Sequence, residues 1–195
     1  MNKGENFLIN ISQEKIKDLF LRINNTRYPD NTNKGSWKEG TELSWMKKLV
    51  SYWKNEFDWK KQEQLLNRFQ QYKLRLDGLD LHYIYQKGVG KNCIPLLLLH
   101  GWPGSIFEFL DVIPILNNPR KFGIKTNISF DIIAPSLPGY GLSFSKNQKR
   151  MGSSEVTDLF VNFMKNNLGI TKFGVQGGDW GSMIGSRIAY KYPDN

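Results

Sequence analysis

Apolar residues in the first third of the chain recur at helical spacing. Ile16, Leu19, Phe20 and Ile23 fall at i, i+3, i+4 and i+7, which predicts one helix with a buried stripe, capped by the hydroxyl of Ser12. The stripe ends before Tyr28-Pro29-Asp30, and a polar stretch follows. Leu43, Met46, Leu49, Val50 and Trp53 then repeat the spacing, and Leu65, Leu66 and Phe69 make a third set after Glu56-Phe-Asp-Trp59. These stripes are expected to cover something beyond themselves.

From Leu79 the period changes. Leu79, Leu81, Tyr83 and Tyr85 alternate with Asp80, His82, Ile84 and Gln86, a strand pattern, and Pro95-Leu-Leu-Leu-Leu99 is the continuous apolar run of a strand buried on both faces. A helix is expected after Gly104-Ser105 and a strand at Phe130-Asp-Ile-Ile-Ala134. Ser153 or Ser154 is the candidate cap of a helix whose stripe is Val156, Leu159, Phe160, Phe163 and Met164. Phe173-Gly-Val175 leads out of it as a further strand. Strands alternating with helices predict an α/β fold with a mostly parallel, doubly wound sheet.

Composition and charge narrow the function classes. The 195 residues are 39% hydrophobic and 23% charged, an ordinary globular balance, and a single cysteine, Cys93, excludes an internal disulfide framework. The longest apolar run at the N-terminus, Phe7-Leu-Ile-Asn-Ile11, is far shorter than the roughly 20 residues that span a bilayer. A net charge of +9 suggests polyanions, yet the lysines are interspersed with acids, and the one dense basic cluster, Lys146 to Arg150, is short. The expectation is a protein without a transmembrane segment, without a nucleic-acid partner and cytoplasmic, with peripheral membrane association left open.

The candidate chemistry lies in Phe173-Gly-Val-Gln-Gly-Gly-Asp-Trp-Gly-Ser-Met-Ile184. It reads as a strand, a tight turn and a helix start, the arrangement in which Gly-x-Ser-x-Gly hydrolases push a nucleophilic oxygen into the open. Here Asp179 stands at the tip. A strand reversing directly into a helix brings the flanking residues close together, so Gly177, Gly181 and Ser182 are suitably small. A helix N-terminus favours an anion and lowers the pKa of Asp179. A plain helix cap by Asp179 is the competing reading. His100-Gly-Trp-Pro-Gly-Ser105 follows the most apolar strand, where alpha/beta-hydrolases place one oxyanion donor, the other coming from the residue after the nucleophile. The candidate backbone donors are therefore Trp102 and Trp180. Pro103 suits a tight turn, cis or trans, and His100 is read as holding the loop rather than as an acid or base.

Taken together, His100-Gly-Trp-Pro103, Ala134-Pro-Ser-Leu-Pro-Gly-Tyr-Gly-Leu-Ser143 and Gln176-Gly-Gly-Asp-Trp-Gly-Ser182 resemble the epoxide hydrolases of the microsomal and juvenile-hormone type. Thr26-Arg-Tyr-Pro-Asp30, Trp37-Lys-Glu-Gly40, Tyr52-Trp53, Phe57-Asp-Trp59 and Leu66-Asn67 are similar to that family's N-terminal meander. The resemblance covers residues 7 to about 192. It implies a meander over residues 7–76, the family's N-terminal region running to about 112, and an alpha/beta-hydrolase core over residues 77–195. It also implies that Asp179 forms an alkyl ester with an epoxide, that the Trp102 and Trp180 N–H groups hold the oxyanion, with His100, Gly101, Pro103, Gly177, Gly181 and Ser182 in support, and that neither metal nor organic cofactor takes part.

In that family a histidine base, its acid partner and a cap domain with two tyrosines follow the nucleophile. The sequence stops at Tyr192-Pro-Asp-Asn195, and its two histidines, His82 and His100, are poor candidates for the base. The expectation is thus an incomplete sheet without a cap, a free strand edge prone to aggregation, and little activity from these residues alone. A haloalkane dehalogenase, which also uses an aspartate nucleophile, is the alternative enzyme. A non-catalytic interaction module is the alternative of another class. The particular epoxide is not legible, because specificity is expected in the cap.

Overall fold

In the computed structural model, residues 2–30 and 35–194 are described; the first residue, residues 31–34, within the polar stretch after Asp30, and the last residue lie outside them. The chain forms two compact units, residues 9–65 and a larger one built from residues 2–8 and 66–194. The sheet and the candidate site belong to the larger unit.

The smaller unit holds α1 (Gln13–Asn24), α2 (Leu43–Asn55) and most of α3 (Trp59–Leu66). Ser12 caps α1, its Oγ accepting the Lys15 N–H at 3.3 Å. Glu42 caps α2, accepting the Trp45 N–H at 2.9 Å. Ile23 is buried as its spacing predicts, but the second stripe is not: α2 has no buried residue, and Leu49 and Trp53 are 41% and 38% exposed. Phe69 lies past the end of α3, in the turn that its N–H closes onto the Leu66 carbonyl. The best-buried polar group here is Glu63. It accepts the Ile11 N–H at 2.6 Å and the Trp59 Nε1–H at 3.1 Å on one oxygen, and Lys60 Nζ at 2.7 Å on the other.

The larger unit is a six-stranded sheet in the order β1-β2-β3-β5-β4-β6, with β1 (Glu5–Asn6), β2 (Gln71–Leu76), β3 (Leu79–Gln86), β4 (Asn92–Leu99), β5 (Ile128–Pro135) and β6 (Gly174–Gly177). The sheet is mixed: β5, β4 and β6 are parallel, as expected of alternating strands and helices, whereas β1, β2 and β3 enter antiparallel. The pattern of Gln71-Tyr-Lys-Leu-Arg-Leu76 alternates and pairs with β3 through the Asp77-Gly78 turn, where both residues adopt positive φ.

β3 is buried on both faces, His82 and Ile84 as fully as Tyr83. In β4 only the second half is buried, Leu97, Leu98 and Leu99, where β5 and β6 flank it on both sides. The segment after Ser105 is not one helix. A 3₁₀ turn over Ile106–Phe109 precedes the short α4 (Val112–Asn117). α5 (Ser153–Asn162) starts one residue earlier than a Ser153 cap and two earlier than a Ser154 cap would allow: Gly152 is the cap, and Glu155 turns back to accept its N–H at 3.0 Å. The α5 stripe runs on into a π turn over Phe163–Asn167, so Phe163 and Met164 stay buried beyond the helix. With α6 (Trp180–Lys191) it covers one face of the sheet, where Tyr83, Leu97, Leu99, Phe160 and Ile184 pack in one core. Burying such side chains contributes about 1.5–3 kcal/mol each relative to exposure. Among the described residues no helix is long and apolar enough to cross a membrane.

Candidate active site

β4 and β6 are parallel and end together, Leu99 opposite Gly177, so the segments leaving them meet at the same edge of the sheet. One is His100–Ser105 and the other is Gly178–Asp179, which feeds α6. The approach is closer than side chains permit. A Cβ on Gly181 would overlap the Leu99 carbonyl, and one on Gly177 would overlap the Gly181 backbone, so both positions require glycine. Gly178 has open space around its missing Cβ and is not constrained in this way. Ser182 supports the bend through its hydroxyl, which donates to the Asp179 carbonyl at 2.7 Å.

Asp179 adopts φ 50° and ψ −121°, a conformation rare for any residue with a side chain, and its carboxylate makes no capping bond to α6. The plain-cap reading therefore does not describe it. Instead Oδ1 accepts the Trp102 N–H at 2.8 Å from the facing loop. The Trp102 N–H and then the Trp180 N–H hold the carboxyl below its ordinary pKa, so it is ionised at neutral pH. Asp179 is exposed, and so are Trp102 and Trp180, at 68% and 41%. Oδ1 is engaged by the Trp102 N–H, which makes Oδ2 the candidate oxygen to react.

Gly101 packs directly on the carboxylate: a Cβ there would lie 2.5 Å from the Cβ of Asp179. The Trp102-Pro103 peptide is cis. His100 is fully buried, its Nε2 accepting the Leu137 N–H at 2.9 Å and its Nδ1 donating to the Gly101 carbonyl at 3.0 Å. Burial lowers its pKa, and the neutral ring ties the loop to the segment after β5. His82 is equally buried, between Gln71 and Ser136. Neither ring has a free nitrogen facing Asp179. The contributions of Gly101, as a contact surface for the carboxylate, and of Leu137, as a backbone donor, escape the sequence reading; Gly in His-Gly-Trp-Pro is the only signal for the first. At the opposite end of β4 and β5, a cavity of about 480 Å³ is lined by Lys91, Asn92, Arg120 and Thr126 among others, with no carboxylate or histidine in its wall.

A sheet whose parallel strands lead into a glycine-walled turn with an aspartate at its tip, faced by a backbone donor from the neighbouring strand's loop, defines an alpha/beta-hydrolase. The alpha/beta hydrolase fold model matches residues 94–195, and the epoxide hydrolase N terminus model matches residues 4–109. Epoxide hydrolase 1 of Oryctolagus cuniculus is 38% identical over 193 residues, covering 97% of this chain and 42% of that protein. Juvenile hormone epoxide hydrolase 1 of Ctenocephalides felis is 38% identical over 192 residues, covering 97% and 40%. The crystal structure of juvenile hormone epoxide hydrolase from the silkworm Bombyx mori superposes with a TM-score of 0.87 at 36% identity, over 97% of this chain and 50% of that one. The chain belongs to the microsomal and juvenile-hormone epoxide hydrolase family. It spans about two fifths of the length of these curated relatives.

Proposed function

We propose that the chain carries the nucleophile and oxyanion donors of an enzyme that converts epoxides to vicinal diols. The observation that carries this reading is the Asp179 carboxylate, held ionised at a strained turn with Oδ1 on the Trp102 N–H. Oδ2 attacks a carbon of the three-membered ring, the C–O bond breaks, and the epoxide oxygen takes a proton from an acid group to become a hydroxyl. The product is a hydroxyalkyl ester of Asp179. Water then adds to Cγ. Oδ1 carries the developing negative charge and is stabilised by the Trp102 and Trp180 N–H groups, a type of interaction that contributes about 3–4 kcal/mol per donor. Collapse releases the diol with Oδ2 and leaves the water's oxygen in the carboxylate. A serine in the same place would give an ether, which water does not cleave readily.

The acid that protonates the epoxide and the base that activates water have no counterpart in His82 or His100, whose ring nitrogens are all engaged. The reading therefore assigns both groups to sequence outside these 195 residues, and full turnover to the complete gene product. The N-terminal helices, over residues 7–76, are assigned to the family's meander and the rest to its core.

Single turnover of the complete gene product in ¹⁸O water tests the chemistry. Unlabelled diol in the first turnover, with label appearing in Asp179, is the expected result. Immediate ¹⁸O in the diol means direct attack by water and overturns the reading, as does normal turnover by Asp179→Ala.

A further inference from the structure

The two buried histidines are joined by adjacent residues, and we propose that His82 is a positioning residue for the oxyanion loop, acting through Ser136 and Leu137 on His100 and so on the Trp102 N–H. It rests on the proposed role of Trp102.

The hydrogen-bond partners assign a direction to every link. Gln71 turns its amide nitrogen to the Leu66 carbonyl at 3.0 Å and to Asn67 at 3.1 Å, so its Oε1 faces His82 Nε2 at 2.9 Å. Nε2 therefore carries the proton. Nδ1 is then an acceptor, and the Ser136 hydroxyl donates to it at 3.0 Å. The Ser136 N–H donates to the His82 carbonyl at 3.0 Å, so Ser136 is held by His82 from both its backbone and its side chain. The register explains why they meet: in the antiparallel pairing of β3 with β5, Tyr83 faces Pro135, and the next step along places His82 opposite Ser136.

The following residue, Leu137, donates its N–H to His100 Nε2 at 2.9 Å, which leaves His100 protonated on Nδ1, and Nδ1 donates to the Gly101 carbonyl at 3.0 Å. Gly101 C=O and Trp102 N–H belong to one planar peptide. Fixing the carbonyl of that peptide fixes the direction of its N–H, which points at Asp179 Oδ1 at 2.8 Å. Two hydrogen-bonded segments, Gln71–His82–Ser136 and Leu137–His100–Gly101, are thus joined through the backbone between Ser136 and Leu137, and the second ends at the peptide whose N–H meets the carboxylate. Ser143 provides an internal contrast. Its Oγ accepts the His82 backbone N–H at 2.9 Å and does not touch the imidazole.

Isosteric replacement separates the two ring nitrogens. Asn places an amide oxygen near Nδ1 and keeps an acceptor for Ser136; Gln reaches the Nε2 position and abandons Ser136. In the complete gene product, His82→Gln and Ser136→Ala are expected to lower kcat about tenfold with KM within about twofold, a fraction of the loss on deleting an oxyanion donor. His82→Asn and Ser143→Ala are expected to stay within about threefold of the parent, on the same scale. Amide hydrogen exchange at Trp102 should quicken about tenfold in the first pair only, where its hydrogen bond opens more often. ¹⁵N-histidine NMR should show His82 protonated at Nε2 and His100 at Nδ1. Opposite tautomers, an unchanged Trp102 exchange rate in folded Ser136→Ala, or equal losses in Ser136→Ala and Ser143→Ala would overturn the proposal. If the parent opens no epoxide, the functional reading fails, while tautomers and Trp102 exchange still decide the positioning.

Discussion

A side chain on Gly101 would collide with Asp179, its Cβ 2.5 Å from the Cβ of the carboxylate residue and 2.7 Å from Oδ1. The nearest atom is the Asp179 Cβ, which the backbone fixes, so rotation of the carboxylate alone does not relieve the contact and the loop or the Asp179 backbone must move. Gly101→Ala is thus expected to displace the loop or Asp179 by about 1 Å. Misplacement on the scale of 1 Å costs about 10²-fold in rate. The expected outcome is a loss of that order in kcat/KM, with stability changed by less than about 2 kcal/mol, within the usual cost of mild overpacking. Epoxide turnover and urea unfolding on the same preparation check it. Parent-like turnover would mean that the loop yields without disturbing Asp179.

The backbone of Asp179 gives a second prediction, independent of chemistry. At φ 50° and ψ −121° the residue stores strain that glycine does not feel. Asp179→Gly and Asp179→Ala both lose the carboxylate, so comparing them isolates the backbone. Asp179→Gly is expected to be more stable than Asp179→Ala by about 1–3 kcal/mol, the usual cost of such a conformation. Denaturant titration of both variants measures the difference, and equal midpoints would contradict the strain.

Much of this arrangement can be read from the sequence because close approach has few solutions. Gly177 and Gly181 stand where backbones touch, so residue type alone marks the turn. The run of α5 is likewise legible, since it buries the positions that its period selects, whereas the alternation of β3 marks a strand but not its burial on both faces, and the apolar run of β4 is buried only over Leu97, Leu98 and Leu99. The helical stripe of α2 shows the limit: periodicity names a face but not what covers it, and Trp53 is exposed. β2 was written in the alternation of Tyr72, Leu74 and Leu76, yet it follows a helical set without a break that marks the change. The partnership of His82 with Ser136 depends on the register between β3 and β5, which no local pattern encodes. The break after Phe109 and the Gly152 cap also follow from backbone geometry rather than from side-chain spacing.

In the smaller unit Glu63 is the residue whose loss should be felt most. It satisfies the Ile11 N–H, the Trp59 indole N–H and Lys60 together. Glu63→Ala strands the two neutral donors and removes the charged partner of Lys60, which keeps the Asn10 side chain and the Ile11 carbonyl. The expected destabilisation is about 2–4 kcal/mol, because a buried donor left unsatisfied costs about 1–3 kcal/mol. Glu63→Gln keeps one acceptor oxygen and should recover about half of that on the same scale. Hydrogen exchange at Ile11 locates the effect: its protection should fall sharply in Glu63→Ala and only partly in Glu63→Gln.

Acid should weaken the larger unit before its carboxylates titrate. His82 is pushed down from the ordinary 6.5 to about 3, first by burial and then by the charge of Lys73. His100 is lowered as well, by burial acting against the Gly101 carbonyl and Glu108, both of which raise it. Both rings are thus neutral in the fold, while in the unfolded chain each titrates near 6.5. Below that pH the unfolded state takes up protons that the folded state refuses, so the histidines' contribution is complete above about 6.5 and is lost as pH falls towards the folded values. For His82 the slope approaches about 1.4 kcal/mol for each pH unit within that window, and His100 adds to it in the same direction. Asp158, Glu155 and Asp179 have lowered values and contribute their own loss only near and below the ordinary carboxylate range, about pH 4. Between pH 6.5 and 5 the histidines therefore account for the trend. Urea midpoints are expected to fall steadily across that interval in the parent. In His82→Asn, which has no imidazole at that position, the pH dependence should be clearly shallower. An equal slope in the two proteins would show that His82 is not held neutral by the fold.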